Sequence, residues 1–340
     1  MIGWYVHHQG RGHAHRATAV AQHLPGLVGL SSLPAPTGWP SPFSSSWVQL
    51  PPDDDGARDA NAGGALHWAP LDGSYPARMS ALAAWVAEHR PELVVVDTSV
   101  EVSLLLRLLG VPVLVVVGPG ERTDRPHRAA LDAASHLLAP WPSWVQQPGW
   151  PTAWRQRVHA VGAFSRYDGR SPVTVEPGTV TVLWGDGGLA VTPEQLLGAV
   201  RACPAWRWTV LGGPPLPTEP NLRAPGWVDD PWPLLASADV VVTHAGQNAL
   251  AEVAAARRPT VVLAQDRPHA EQKTTAEVLR SAGLATLCDD WPSAACWPDV
   301  LDVTATRDGA RWQRWSDGAG AERAAAVIRS AAAEVPCASR

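Results

Sequence analysis

At 340 residues the chain is long for one domain and sufficient for two, and its 46% hydrophobic content can fill two cores. Charged residues make up only 17% and the net charge is −5, which argues against nucleic acid as a partner, since that needs basic patches. The cysteines Cys203, Cys288, Cys296 and Cys337 fall in no metal-binding spacing, and the longest apolar run, Val111 to Val117, is far short of a membrane span. No basic and apolar leader opens the chain, so a soluble cytoplasmic protein with reduced thiols is expected.

Strand-like and helix-like segments alternate along the chain, the pattern of a parallel α/β sheet. Ile2 to His7 reads as a strand, Gln9-Gly-Arg-Gly-His13 as a glycine-rich loop and Ala14 to Leu24 as a helix. Strands are expected at Leu27 to Ser31 and Trp47 to Leu50, then an amphipathic helix over Ala77 to His89. Leu93-Val-Val-Val-Asp97 is a buried strand, Val100 to Leu109 a helix, and Val113 to Val117 and His136 to Ala139 the last strands of this half. Asp53-Asp-Asp55 follows no strand into a site and reads as a solvated loop, not as metal ligands.

The Pro- and Trp-rich stretch Pro140 to Trp154 has no period and many breakers, so it reads as loop, with the linker near residues 155–175. The pattern then restarts. Thr179 to Trp184 is a strand, Gly185-Asp-Gly-Gly188 a glycine loop, Thr192 to Ala202 a helix and Trp206 to Leu211 a strand. A turn at Gly226 to Pro231 leads to a short helix at Leu234 to Ser237, and Gly318 to Glu334 is a final Ala-rich helix.

The most informative stretch is Asp239-Val-Val-Val-Thr-His-Ala-Gly246-Gln-Asn248-Ala-Leu-Ala-Glu252. It reads as a buried strand, a tight turn at Gly246 and a helix opening at Gln247. Such a turn aims free backbone N–H groups and the positive helix end at one point, which suits a phosphate. Asn248 and Glu252 share one helix face, and a carboxylate there grips a vicinal diol such as a ribose. Arg257-Arg258-Pro259 ends the helix, because the residue before proline leaves the α region. Thr260 to Ala264 is a further strand, and the polar loop Gln265 to Gln272 follows its C-terminal end, where open α/β sheets bind ligands.

The pattern His244-Ala-Gly246, Glu252, Pro259, Glu271-Gln272 resembles the C-terminal donor-binding signature of the GT-B glycosyltransferases of families 28 and 1. The branch includes the bacterial UDP-N-acetylglucosamine transferase of peptidoglycan synthesis and the plant and macrolide enzymes. Ala-Gly-Gln stands where many relatives have Gly-Gly-x. The resemblance implies two Rossmann-like domains facing across a cleft. Residues 1–158 would bind the acceptor and 159–317 the nucleotide-sugar, and helix 318–336 would cross back to the first domain. It implies the donor diphosphate at Gly246, Gln247 and Asn248, the ribose at Glu252, and the donor sugar at Glu271 and Gln272, with His244 part of the signature. It also implies that Gly185 and Gly187 approach the diphosphate and that Trp227 and Val228 hold the base. Asp186 is an oddity there, because its charge repels phosphate.

Gln9-Gly10-Arg-Gly12-His13-Ala-His15-Arg16 is the second motif. His13 matches the family's histidine near the reacting centre, often the general base, and imidazole suits that task at neutral pH. Gly10, Gly12 and Arg16 form the loop and a phosphate contact. His7, His8 and His15 are rivals, with His8 the most structural of them. Asp97 at a strand end, or Glu101, could orient the imidazole in the manner of a triad carboxylate.

The expectation is an inverting, metal-independent, cofactor-free transferase of hexosyl or N-acetylhexosaminyl groups from a UDP-sugar, or a dTDP-sugar, to an acceptor hydroxyl. A UDP-sugar 2-epimerase of the same fold and a non-catalytic nucleotide-sugar-binding protein are the alternatives. A dehydrogenase is disfavoured, since neither half carries Gly-x-Gly-x-x-Gly with a ribose-binding acid at the right distance. The acceptor is open among a lipid, a natural product and a saccharide. Trp39, Trp47, Trp68 and the Trp141 to Trp154 stretch are candidate walls, and surface tryptophans leave a peripheral membrane contact open.

Overall fold

The computed structural model describes residues 1–40, 46–147, 149–184, 188 and 190–334. It resolves into two compact units, one of Met1–Gly162 with the segment from Ala319 onward and one of Ala163–Gly318.

In the first unit, β1 (Ile2–Val6), α1 (Gly12–Ala21), β2 (Leu27–Ser31) and β3 (Trp47–Gln49) lead to α2 (Tyr75–His89). β4 (Leu93–Asp97), α3 (Val100–Leu108), β5 (Val113–Val116), α4 (Arg125–Ala133), β6 (His136–Ala139), α5 (Thr152–Arg157) and β7 (Val158–Ala160) complete the pattern. The strands form one parallel sheet in the order β3-β2-β1-β4-β5-β6-β7. All of β4 and β5 is buried, as expected of β-branched runs covered by helices on both faces. Gly29 is required by close approach: a Cβ there would lie 2.2 Å from the Trp47 ring. Ser99 caps α3 by accepting the Val102 N–H at 3.3 Å.

The second unit repeats the plan. β8 (Glu176–Leu183), α6 (Pro193–Ala202), β9 (Arg207–Leu211), β10 (Leu222–Gly226), α7 (Trp232–Ala236) and β11 (Ala238–His244) are followed by α8 (Gln247–Ala256) and β12 (Thr260–Leu263). Then come α9 (Glu271–Ala282), β13 (Thr286–Cys288) and α10 (Trp297–Ala305). Its parallel sheet runs β10-β9-β8-β11-β12-β13. Val180, Val182, Trp208, Val240, Val242 and Trp297 are wholly or almost wholly buried and fill its core. The chain then rejoins the first unit through α11 (Gly320–Ala333), which buries Ala324, Ala325 and Ile328 and lies against α1.

In both sheets the strand order reverses once, between β1 and β4 and between β8 and β11. Such switch points open a crevice at the strands' C-terminal ends. His13 and Asp97 flank the first, and the turn at Gly246 flanks the second.

Several sequence readings need correction. β7, not β6, ends the first sheet, and α5 with β7 occupies part of the expected loop and linker. Pro151 sits at the N-cap of α5, where a proline interrupts nothing. Glu271 and Gln272 begin a helix and are not in a loop. Trp39, Trp141, Trp150 and Trp154 are buried and serve as core, while Trp68 stays partly exposed. Among the described residues, no helix is long and apolar enough to cross a membrane.

Candidate functional site

In the first unit, β1 delivers the chain to Gly10, whose φ of +78° suits glycine, and α1 then starts at Gly12. This puts His13 in the first turn. Its Nδ1 lies 3.0 Å from Asp97 Oδ1, and Asp97 is wholly buried. Arg16, one helical turn on, places Nη1 2.9 and 3.2 Å from the two Asp97 oxygens. Thr98 Oγ1 donates to Asp97 Oδ1 at 3.0 Å, and Thr98 itself has φ +69°, a costly conformation for a β-branched residue. Burial alone would raise the Asp97 carboxyl, but Arg16, then His13 and Thr98, outweigh it and hold it at about 2. Asp97 is therefore an anion at any working pH, fixed against the imidazole.

Arg16 was expected at a phosphate; its guanidinium is instead buried against Asp97. Glu101 is engaged elsewhere, accepting the backbone N–H groups of His67 and Trp68 at 2.6 and 3.0 Å. His7 stacks on His8 at 4.8 Å and tilts against His13 at 5.5 Å. Burial, followed by repulsion from His13 and His8, pushes the His7 imidazole down to about 3, so it is neutral.

Asp53 is not solvated as expected. It is 6% exposed, with Oδ2 3.3 Å from the buried Arg78 and Oδ1 3.2 Å from His8 Nδ1. The potential ligand atoms of His8, Asp53 and Asp54 lie within 4.8 Å of one another, a donor set able to hold a cation. They line one side of a cavity of the first unit that also touches His7 and Thr98.

In the second unit, β11 ends at His244 and α8 begins at Gln247, with Gly246 as N-cap. Gly246 has an ordinary φ of −74°, so glycine is not there for its turn conformation. A Cβ would stand 2.5 Å from the His244 ring, so space is the constraint. The Gly246 N–H donates to His244 Nδ1 at 3.0 Å and is thus not one of the groups open to a phosphate. The remaining first-turn N–H groups of α8, at Asn248 and Ala249, point outward along the axis as helix geometry dictates. Burial, then Arg267, pushes the His244 imidazole down to about 4, which keeps it neutral as a hydrogen-bond acceptor.

Val228 packs with Leu183, Leu211 and Ala249, which ties the segment after β10 to the first turn of α8. Trp227 beside it is 51% exposed and is no core filler. Glu252 lies on α8 behind Asn248 and is nearly buried. Its Oε1 accepts from Arg166 Nε at 3.0 Å; burial raises its carboxyl and Arg166 partly offsets that. Gln272 is buried as well. Its Oε1 accepts the Gln265 N–H at 3.1 Å, and its Nε2 lies 3.5 Å from His244 Nδ1. Glu271 stays partly exposed at the start of α9, just after the left-handed residues His269 and Ala270, φ +61° and +51°. Gly185 and Gly187, with Asp186, lie outside the described residues.

The structure therefore gathers His13, Asp97 and Arg16 at one switch point. It gathers His244, Gly246, Asn248, Glu252, Val228 and Gln272 around the second. The sequence did not single out Thr98, Arg78 or Arg166. Arg166 carries no local signal, because it falls in the expected linker.

Residues 220–291 match the model of the glycosyltransferase family 28 C-terminal domain. An uncharacterized glycosyltransferase of Methanosarcina mazei is 27% identical over 113 residues, 32% of this chain and 30% of that protein. That match thus spans less than a third of the relative's length. Among solved structures, the glycotransferase of kitacinnamycin superposes with a TM-score of 0.69 at 18% identity, covering 97% of this chain and 98% of that one. UGT89C1 of Arabidopsis thaliana, complexed with UDP, superposes with a TM-score of 0.65 at 13% identity, covering 98% and 99%. With the two parallel sheets, these matches identify the fold as GT-B, built from two Rossmann-like units.

Proposed function

We propose that the protein transfers a glycosyl group from a nucleoside diphosphate sugar to an acceptor hydroxyl, with inversion and without a metal at the leaving group. The observation that carries this reading is the His13 imidazole held 3.0 Å from a buried, ionised Asp97 at a switch point. Asp97 keeps the proton on Nδ1 and leaves the Nε2 lone pair to act as base. Nε2 takes the proton of the acceptor hydroxyl as its oxygen attacks the anomeric carbon. The bond from that carbon to the diphosphate oxygen breaks, and its electron pair leaves with the diphosphate. The N-terminal end of α8, at Gly246, Gln247 and Asn248, favours that charge through its dipole and the Asn248 and Ala249 amides.

Glu252 is the group for the ribose hydroxyls, with Arg166 setting its orientation. Trp227 and Val228 are the base contacts, and Glu271 the contact to the donor sugar. Gln272, being buried, acts by holding the β12–α9 segment against His244. UDP is the first nucleotide to test, in keeping with the UDP bound to the plant protein of the same fold. A hexosyl or N-acetylhexosaminyl group is the cargo, and the cytoplasm the place of action.

The test is nucleotide release from UDP-glucose and UDP-N-acetylglucosamine over an acceptor panel, together with melting curves in UDP. A ligand specific to the native state adds about 2.7 kcal/mol at a hundredfold excess over Kd. The reading expects a UDP-induced shift in both wild type and His13→Ala, with turnover lost in the variant. A donor converted to its 2-epimer, or a His13→Ala variant as active as wild type, would overturn it.

A further inference from the structure

The cavity of the first unit is lined by three carboxylates, Asp53, Asp54 and Glu101, and, among the described residues, by no lysine or arginine. Trp68 and Tyr75 add aromatic walls, and the cavity offers about 100 Å³ of space. Its lining includes His7, whose ring lies 5.5 Å from that of His13, and Thr98, which bonds Asp97. It therefore opens beside the proposed base.

The three carboxylates are not equivalent. Glu101 is satisfied by two backbone N–H groups. Asp54 is largely solvent-facing, with 62% of its side chain exposed. Asp53 is the informative one. Arg78 stands at its Oδ2, while Oδ1 is buried and faces His8 Nδ1 at 3.2 Å without hydrogen-bond alignment. Both ring nitrogens of His8 beside it are likewise buried and unbonded. A buried carboxylate oxygen with only a misaligned imidazole beside it is poorly satisfied, and a small shift of these side chains would let a donor from the cavity bridge Asp53, Asp54 and His8.

We propose that this cavity binds an amine-bearing polyol, an aminosugar or aminocyclitol, as the acceptor. Its ammonium sits at Asp53, Asp54 and His8, and a sugar face lies against Trp68 and Tyr75. This rests on the glycosyl-transfer reading for the word acceptor; the binding chemistry stands apart from it. An ammonium brings three donors and a positive charge to a site whose two aspartates have, among the described residues, only Arg78 as a permanent counter-charge. Indole and phenol rings pack on the C–H face of a sugar ring while the hydroxyls stay hydrogen-bonded. A lipid or flat apolar aglycone would instead bury the carboxylates without compensation.

The experiment is calorimetric titration of the full-length protein at pH 7, without nucleotide and with chelator present, using glucosamine, 2-deoxystreptamine, glucose, N-acetylglucosamine and quercetin. Glucosamine or 2-deoxystreptamine should bind about tenfold or more tighter than glucose and N-acetylglucosamine, since a charge-assisted hydrogen bond is lost in each. Asp54→Asn, at an exposed position, should weaken the amines about three- to tenfold and leave glucose unchanged. Equal binding of N-acetylglucosamine, tighter binding of quercetin, or amine binding indifferent to Asp54→Asn would overturn the proposal. So would a chelator-free titration in which Mn²⁺ or Zn²⁺ saturates this site and excludes glucosamine. Amine binding without sugar transfer would refute the transfer reading and leave the cavity assignment standing.

Discussion

Asp97→Asn tests the first switch point most sharply, because one side chain there serves both stability and chemistry. Asp97 is wholly buried and Arg16 is 6% exposed. The substitution leaves the guanidinium without its counter-charge in a dry site, and removing one partner of a buried pair costs about 3–5 kcal/mol. At about 2–4 °C per kcal/mol for a unit of this size, the melting temperature should fall by roughly 6–20 °C at pH 7. Acid supplies an independent check. The folded-state value of about 2 lies below the ordinary value of 3.8, so the contribution is present above the unfolded value and lost as pH falls from 4 through 2. The gap between wild type and variant should narrow over that window. The double variant Arg16→Met with Asp97→Asn should recover most of the loss, since no charge is then stranded. Calorimetric melts of the three proteins at pH 7 and pH 3 decide the matter. A single variant within about 2 °C of wild type, or a gap unchanged by acid, would refute the buried-pair account. In turnover, loss of the orienting carboxylate should lower kcat by about 10²–10⁴ with KM little changed.

Two further outcomes are expected. Gly246→Ala puts a methyl 2.5 Å from the His244 ring and should cost about 1–3 kcal/mol while reducing the UDP-induced melting shift; a variant that melts and binds like wild type would remove the steric argument. Burial pushes the Asp168 carboxyl up to about 6, so the folded state holds its proton more tightly than the unfolded chain, and stability drains away as pH rises from about 4 to 6. Asp168→Asn, keeping the acceptor for the Ser165 N–H, should flatten that part of the stability–pH curve, as urea titrations across the range would read.

What the sequence made legible was local. Leu93-Val-Val-Val-Asp97 and Val240-Val-Val-Thr-His244 are apolar runs that turn polar only at the end, in one residue in the first and two in the second, a pattern that names a parallel strand and a candidate functional tip together. Pairings across the chain were not legible. Arg16 and Asp97 are 81 residues apart, and nothing near Arg16 distinguishes a buried cation from a phosphate ligand. Asp53 sits in an acidic run that looks solvated, and only the fold brings Arg78 to it. β10, Leu-Arg-Ala-Pro-Gly, was missed because a proline argues against a strand, yet it is an edge strand, where proline is tolerated.

The two switch points use one device with opposite electrostatic results. Each buries a carboxylate near the C-terminal ends of its strands and gives it an arginine, Asp97 with Arg16 and Glu252 with Arg166. Arg16 is itself buried and meets both Asp97 oxygens, so its field reaches the carboxylate with little solvent screening and, together with His13 and Thr98, outweighs burial. Arg166 keeps 29% of its side chain exposed, so solvent screens its field, burial prevails and the Glu252 carboxyl is raised. The first arrangement makes a permanent anion, which a base histidine needs to hold its tautomer and to stabilise the imidazolium that forms. The second leaves a buried carboxylate whose desolvation is only partly offset by a partly exposed arginine. On the proposed reading, a pair of ribose hydroxyls supplies the further donors that such a carboxylate takes. Glu252→Gln should therefore weaken UDP more than it weakens the fold, because the amide can still accept from Arg166 but no longer offers two anionic oxygens to the diol.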